Sequence, residues 1–154
     1  MWGWKILARL IEATAAGMND LLRNIDVTVD KVFTAQAAGL AAVCIDIANS
    51  AKENHTFQNR TENLENSIQP DPVEREGDVL VGPTRAGMEY AAGIEMGNLP
   101  HTIPNAFGKG ITVHHPGNAP MPFMEPAKEA NKDNLLDTLT AVTNRVHRAV
   151  KVTK

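Results

Sequence analysis

The chain has 154 residues, 43% of them hydrophobic and 21% charged, with a formal net charge of −3. These values fit one globular domain of ordinary size and exclude a disordered chain or a membrane bundle. The acidic balance argues against a protein that works by neutralising nucleic-acid phosphates, and the 5% aromatic content favours close packing by Ala, Val, Leu, Ile and Met over a wide ring-lined cavity.

The opening MWGWKILARLIEATAAG imitates a secretory leader, but Lys5, Arg9 and Glu12 interrupt its apolar run. No stretch reads as approaching the ~20 apolar residues that span a bilayer. The expectation is an amphipathic helix to about Arg23, with Trp2 and Trp4 at its start and Ile6, Leu7, Leu10 and Ile11 on one face. Met18, Leu21 and Leu22 continue that side beyond Gly17. Its polar face is not markedly basic, which argues against a membrane-surface role. Residues 1–28 are read as a helical extension and residues 29–154 as a single domain.

Asp30 is placed to cap a second helix through Lys52, in which Phe33, Ala37, Leu40, Ala41, Cys44, Ile47, Ala48 and Ala51 recur at spacings of three and four. Its alanines permit a neighbour to approach closely. Cys44 is the only cysteine, which rules out an intramolecular disulfide and fits a reducing cytoplasm. On that apolar face it reads as a small buried hydrophobe.

The polar run ENHTFQNRTENLENS predicts a loop with a short helical turn around Leu64. Four short pieces follow, bounded by Gly or Pro: Ser67 to Gln69, Asp78 to Val81, Glu89 to Glu95 and Ile111 to His114. They predict strands of a small antiparallel sheet. From Leu99 to Pro122, five prolines (Pro100, Pro104, Pro116, Pro120 and Pro122) predict an irregular arm. The arm is expected to be partly disordered in an isolated chain. The last helix is expected to begin near Pro126 and to carry Leu135, Leu139, Val142, Val146 and Val150 on one stripe. Arg145, Arg148, Lys151 and Lys154 in its tail suit the negative end of a helix dipole. The fold class is therefore α+β, a small antiparallel sheet packed by two long helices, with an added N-terminal helix and a long Pro/Gly-rich loop.

Candidate chemistry is sparse. His101, His114 and His115 lie in or beside the arm, and with Glu95 they are the nearest approach to a metal set. Adjacent His114 and His115, however, point to opposite faces of a strand. FGKGIT lacks the glycine and the Ser or Thr of a phosphate loop and reads as a glycine turn with an exposed lysine. Glu89 and Glu95, on one extended strand, would stand ~20 Å apart, too far for a catalytic pair. Neither Ser67 nor Cys44 has a histidine at a nucleophile's spacing. Asn54-His55-Thr56 and Asn59-Arg60-Thr61 match glycosylation acceptors but lack a secretory signal to give them meaning.

Four pieces in order resemble a known family. An Ala-rich helix ends at Ala51-Lys52, and Thr61-Glu62-Asn63-Leu64-Glu65-Asn66-Ser67-Ile68 resembles a Thr-Gly-x-Leu-x-x-Ser-Ile turn, with Glu62 where the pattern usually has Gly. Tyr90-Ala91 with Glu95-Met96-Gly97 resembles Tyr-Ala-x-x-x-Glu-x-Gly. Pro120-Met121-Pro122-Phe123-Met124-Glu125-Pro126-Ala127 resembles Pro-x-Pro-Phe-x-x-Pro-Ala. This order is similar to that of the small neck or tail-completion proteins of long-tailed bacteriophages, which join the head to the tail tube. The similarity covers roughly Val29 to Val150, and the first ~28 residues have no counterpart in it.

The resemblance implies a structural virion protein without catalytic activity or cofactor, assembled in the host cytoplasm into a homo-oligomeric ring, six-fold by analogy. Its implied neighbours are a head-closure or adaptor protein and a tail terminator or tail tube protein. Genomic DNA would pass through the lumen without sequence-specific contact, and no membrane is involved. Tyr90, Glu95, Met96, Gly97, His114, Met121, Phe123 and Met124 are the candidate positions for contact between subunits, the methionines because they adapt to a neighbour's surface. A minor capsid or tail-associated binding module is the alternative. A metal-dependent hydrolase using His101, His114 and Glu95 is a remoter one.

Overall fold

The computed structural model describes the backbone of residues 2–106 and 108–152, and the side chains of residue 9, residues 11–106 and residues 108–149. In chain order the elements are α1 (Trp2–Glu53), α2 (Asn63–Ser67), β1 (Ile68–Pro70), β2 (Glu74–Glu76), β3 (Val79–Val81), β4 (Thr84–Ala86), α3 (Ala91–Met96), β5 (His101–Ala106), β6 (Ile111–His115), α4 (Met124–Ala130) and α5 (Lys132–Val152). The α+β class expected from the sequence is the class observed. The chain divides into two compact units, residues 1–36 with 140–154, and residues 37–139.

α1 is one helix where two were expected. Between Arg23 and Asp30 no Pro or Gly interrupts the helical backbone, and Asp30 takes an interior position. Its carbonyl accepts the Thr34 hydroxyl at 2.8 Å, just as the Asn24 carbonyl accepts that of Thr28 at 2.7 Å. Gly17 is also carried inside the helix, at the modest cost that one glycine imposes. The expected face of Trp2, Trp4, Ile6, Leu7 and Leu10 lies outside the described side chains, as do Val150, Lys151 and Lys154.

In the first unit, Gln36 Nε2 donates to Thr143 Oγ1 of α5 at 3.0 Å. Thr28, Val32 and Phe33 of α1 and Val142 and Val146 of α5 are half-buried. Every residue from Ile11 to Val27 is exposed.

Among the described residues, the second unit holds three separate antiparallel pairs: β1 with β4, β2 with β3 and β5 with β6. Ile68 faces Ala86, Arg75 faces Leu80 and Ile103 faces Val113. β1, β3 and β6 fall close to the expected positions.

The segment Glu89–Glu95 is not a strand. Ala91 N donates to Met88 O at 2.9 Å and Ile94 N to Tyr90 O at 3.1 Å, which winds the chain into α3. Its alanines favour a helix, and Ile94 is the only β-branched residue within it. Nor is Leu99–Pro122 irregular throughout, since β5 and β6 form a hairpin inside it. Pro104 fits there because the ladder shifts register between Ile103 and Ala106, where Asn105 turns to φ 51°. The expected final helix starts earlier, at Met124, and is split at Asn131, whose side-chain amide donates to Ala127 O at 2.9 Å.

The core of this unit is the cluster Ala48, Ala51, Phe57, Leu64, Ile68, Ala91, Phe123 and Ala127. Phe57 and Phe123 meet edge to face with centroids 5.2 Å apart, a favoured geometry for two rings. Cys44 is buried beside it, and its thiol donates to Gly82 O at 3.1 Å. Burial pushes this thiol's pKa up, with a Thr84 hydrogen bond offsetting part of the rise. At Asp46, a carboxylate oxygen accepts the Asn134 amide of α5 at 3.0 Å.

By length and composition, α1 contains a stretch within Ile11–Glu53 apolar enough to cross a membrane, more than the sequence reading allowed. The same span supplies Val43, Cys44, Ala48 and Ala51 to the buried residues of the second unit.

Candidate assembly interface

A helix start leaves its first four N–H groups without intrahelical partners. At α4, one carboxylate takes three of them. Glu95 Oε2 accepts the N–H of Phe123 at 2.8 Å and of Met124 at 3.0 Å, and Oε1 accepts that of Glu125 at 3.0 Å. The next residue, Pro126, has no N–H to satisfy. The negative charge also sits at the positive end of the helix dipole. Partial burial by itself raises the Glu95 pKa, but the three main-chain donors outweigh it and hold the carboxyl below the usual glutamate range.

Gly97 makes this geometry reachable. It has φ 78°, and a Cβ there would lie 2.8 Å from Asn118 O and 2.9 Å from Pro120 N. Asn98 and Asn118 exchange main-chain bonds at 3.1 and 3.0 Å, and Met121 N donates to Ile94 O at 2.9 Å. Asn118 Nδ2 adds a bond to Gly93 O at 3.0 Å. The segment entering α4 is thereby laid along the end of α3, and Phe123 is delivered into the core at 1% exposure.

Of the eight interface candidates, Glu95, Gly97 and Phe123 thus hold the protomer together from within. Met121 and Met124 are half-buried against the core cluster. Tyr90, Met96 and His114 are exposed, Met96 by 71%. Among the described residues, Leu99 is the most exposed large apolar one, at 85%, and Ile111 on β6 is also open. Neither is marked as a surface position by the sequence: Ile111 reads as part of the predicted strand Ile111 to His114, and Leu99 is an isolated Leu between Asn98 and Pro100. Beside Tyr90, Phe57, Arg60, Leu64 and Ile94 line a hollow of about 270 Å³.

The histidines occupy two faces of the hairpin. His101 and His115 stack with centroids 5.0 Å apart, whereas His114 Nδ1 lies 3.1 Å from the Thr102 hydroxyl. Among the described residues, no three His, Cys, Asp or Glu side chains gather around a point where a metal could sit. His101, His114 and Glu95 are not brought together. The hairpin tip is a glycine turn, with Gly108 and Gly110 at positive φ, Gly110 N donating to Asn105 Oδ1 at 2.6 Å, and Lys109 exposed. Phe107 lies outside the described residues.

The chain matches no protein-family model, no characterised protein and no solved structure.

Proposed function

We propose that the protein is a non-catalytic structural component of the head-tail junction of a long-tailed bacteriophage, assembling with copies of itself into a ring around the DNA channel. One observation carries this reading. The four sequence pieces that resemble the neck and tail-completion proteins converge on a single core, through Ala51 of the first, Leu64 and Ile68 of the second, Ala91 of the third, and Phe123 and Ala127 of the fourth. Other positions of the same pieces lock that core: Ser67 Oγ donates to Leu64 O at 2.7 Å, Glu95 caps α4 and Gly97 admits the Asn118–Pro120 segment. The motif positions are therefore framework positions of this chain, and that is what supports the reading.

On this reading the exposed apolar positions Tyr90, Met96 and Leu99 are where a neighbouring subunit, a head-closure or adaptor protein, or a tail terminator or tube protein makes contact. The negative net charge lets DNA slide through the lumen without sticking. Native mass measurement on the purified protein and on material released from virions tests the ring. Closed rings, six-fold by analogy, are expected, and a monomer in both settings would sink the proposal.

A further inference from the structure

The exposed half of α1 carries a coiled-coil seam. Ile11, Ala15, Met18, Leu22, Ile25 and Val29 follow one another at steps of four, three, four, three and four, the alternation that keeps an apolar stripe facing a partner helix. The rhythm continues through Val32 and Gln36, and there it is already in use: Val32 is half-buried and Gln36 bonds to Thr143 of α5. Towards the N-terminus the stripe is exposed. Ile11 is 61% exposed, Met18 57% and Leu22 53%.

We propose that this seam pairs in parallel and in register with the same helix of other copies of the chain. The flanking residues select the occupant. In a parallel pair, Thr14 faces Asn19 of the neighbour and Leu21 faces Asp26, so no like charges meet. An antiparallel overlay of residues 11–29 would set Glu12 against Asp26 at both ends of the overlap. Beside the seam stand only two charges, Glu12 and Asp26, and parallel self-pairing keeps them two heptads apart. A membrane surface fits poorly, because residues 11–31 carry four acids (Glu12, Asp20, Asp26 and Asp30) against Arg23 and Lys31, with Asp20 and Arg23 paired at 2.9 Å. Ile11 and Ile25 at one seam position and Leu22 at the other favour more than two strands. The inference needs only a second copy of the chain and does not depend on the virion reading.

Cross-linking of the full-length protein tests it without reference to any ring formed elsewhere. In a Cys44→Ala background, Ile25→Cys on the seam is expected to form covalent dimers under mild oxidation, while Val27→Cys, on the opposite side of the helix, stays largely uncross-linked. Adding Leu22→Lys to Ile25→Cys should abolish the dimer while circular dichroism shows helix content retained. Equal cross-linking at positions 25 and 27, or none at 25, overturns the proposal. So does flotation of uncross-linked Ile25→Cys protein with phosphatidylcholine/phosphatidylglycerol vesicles.

Discussion

The Glu95 carboxylate accepts the Phe123 main-chain N–H at 2.8 Å across 28 residues of sequence, and this one contact ties the end of α3 to the start of α4. Replacing Glu95 with Ala leaves three donors at a helix end without partners. Loss of such a cap should lower stability by about 1–3 kcal/mol, and Glu95→Gln, which keeps an acceptor but not the charge, should cost less. Urea unfolding followed by circular dichroism measures both.

The same contact sets a pH dependence. The folded-state pKa of Glu95 lies below its unfolded value, so in the interval between the two the unfolded chain binds the extra proton and stability falls as pH falls. The contribution is complete above the ordinary glutamate value of about 4.3 and is lost once pH drops below the folded one. The stability gap between wild type and Glu95→Gln should therefore narrow on acidification through that window. A gap that stays constant in acid would contradict the assignment.

Two glycines should respond to alanine in opposite directions. Gly97 has positive φ and no room for a Cβ beside Asn118 and Pro120, so Gly97→Ala should destabilise by at least ~1–2 kcal/mol. Gly17 lies inside α1 with nothing within 4 Å of the added atom, so Gly17→Ala should raise helix stability by about 0.5–1 kcal/mol. Thermal unfolding of the two variants compares them directly.

Glu62 stands where the resembling pattern has glycine, and it adopts φ 58° and ψ 2°, a left-handed conformation. Glu62→Gly relieves roughly 1–2 kcal/mol of backbone strain and gives back roughly 0.5–1 kcal/mol in unfolded-chain entropy. A small net gain in the urea midpoint is expected. A loss would mean that the Glu62 side chain contributes contacts that outweigh the strain.

Where local signals were strong, sequence and structure agree. The three-and-four spacing from Phe33 to Ala51 marked a helix, and the apolar surroundings of Cys44 marked it as buried. The continuity of α1 was hidden because Gly17 and Asp30 carry the ordinary signals of a helix break and a helix start, yet a long helix absorbs one glycine at small cost. α3 was hidden because a short segment bounded by Gly87 and Gly97 suits a strand as well as a helix, and the decisive partners of Glu95 lie 28 to 30 residues away. β2 has no alternation to read, since Glu74, Arg75 and Glu76 are all exposed. The motif residues were visible in the sequence, but their direction was not: Phe123 and Met96 look equally suited to an interface until burial separates them.

The most direct test of the central claim is immunogold electron microscopy of virions with antibody against this chain. Label confined to the junction between head and tail is the expected result. Label spread over the capsid or along the tail, or none on intact and neck-exposed particles, would contradict the account.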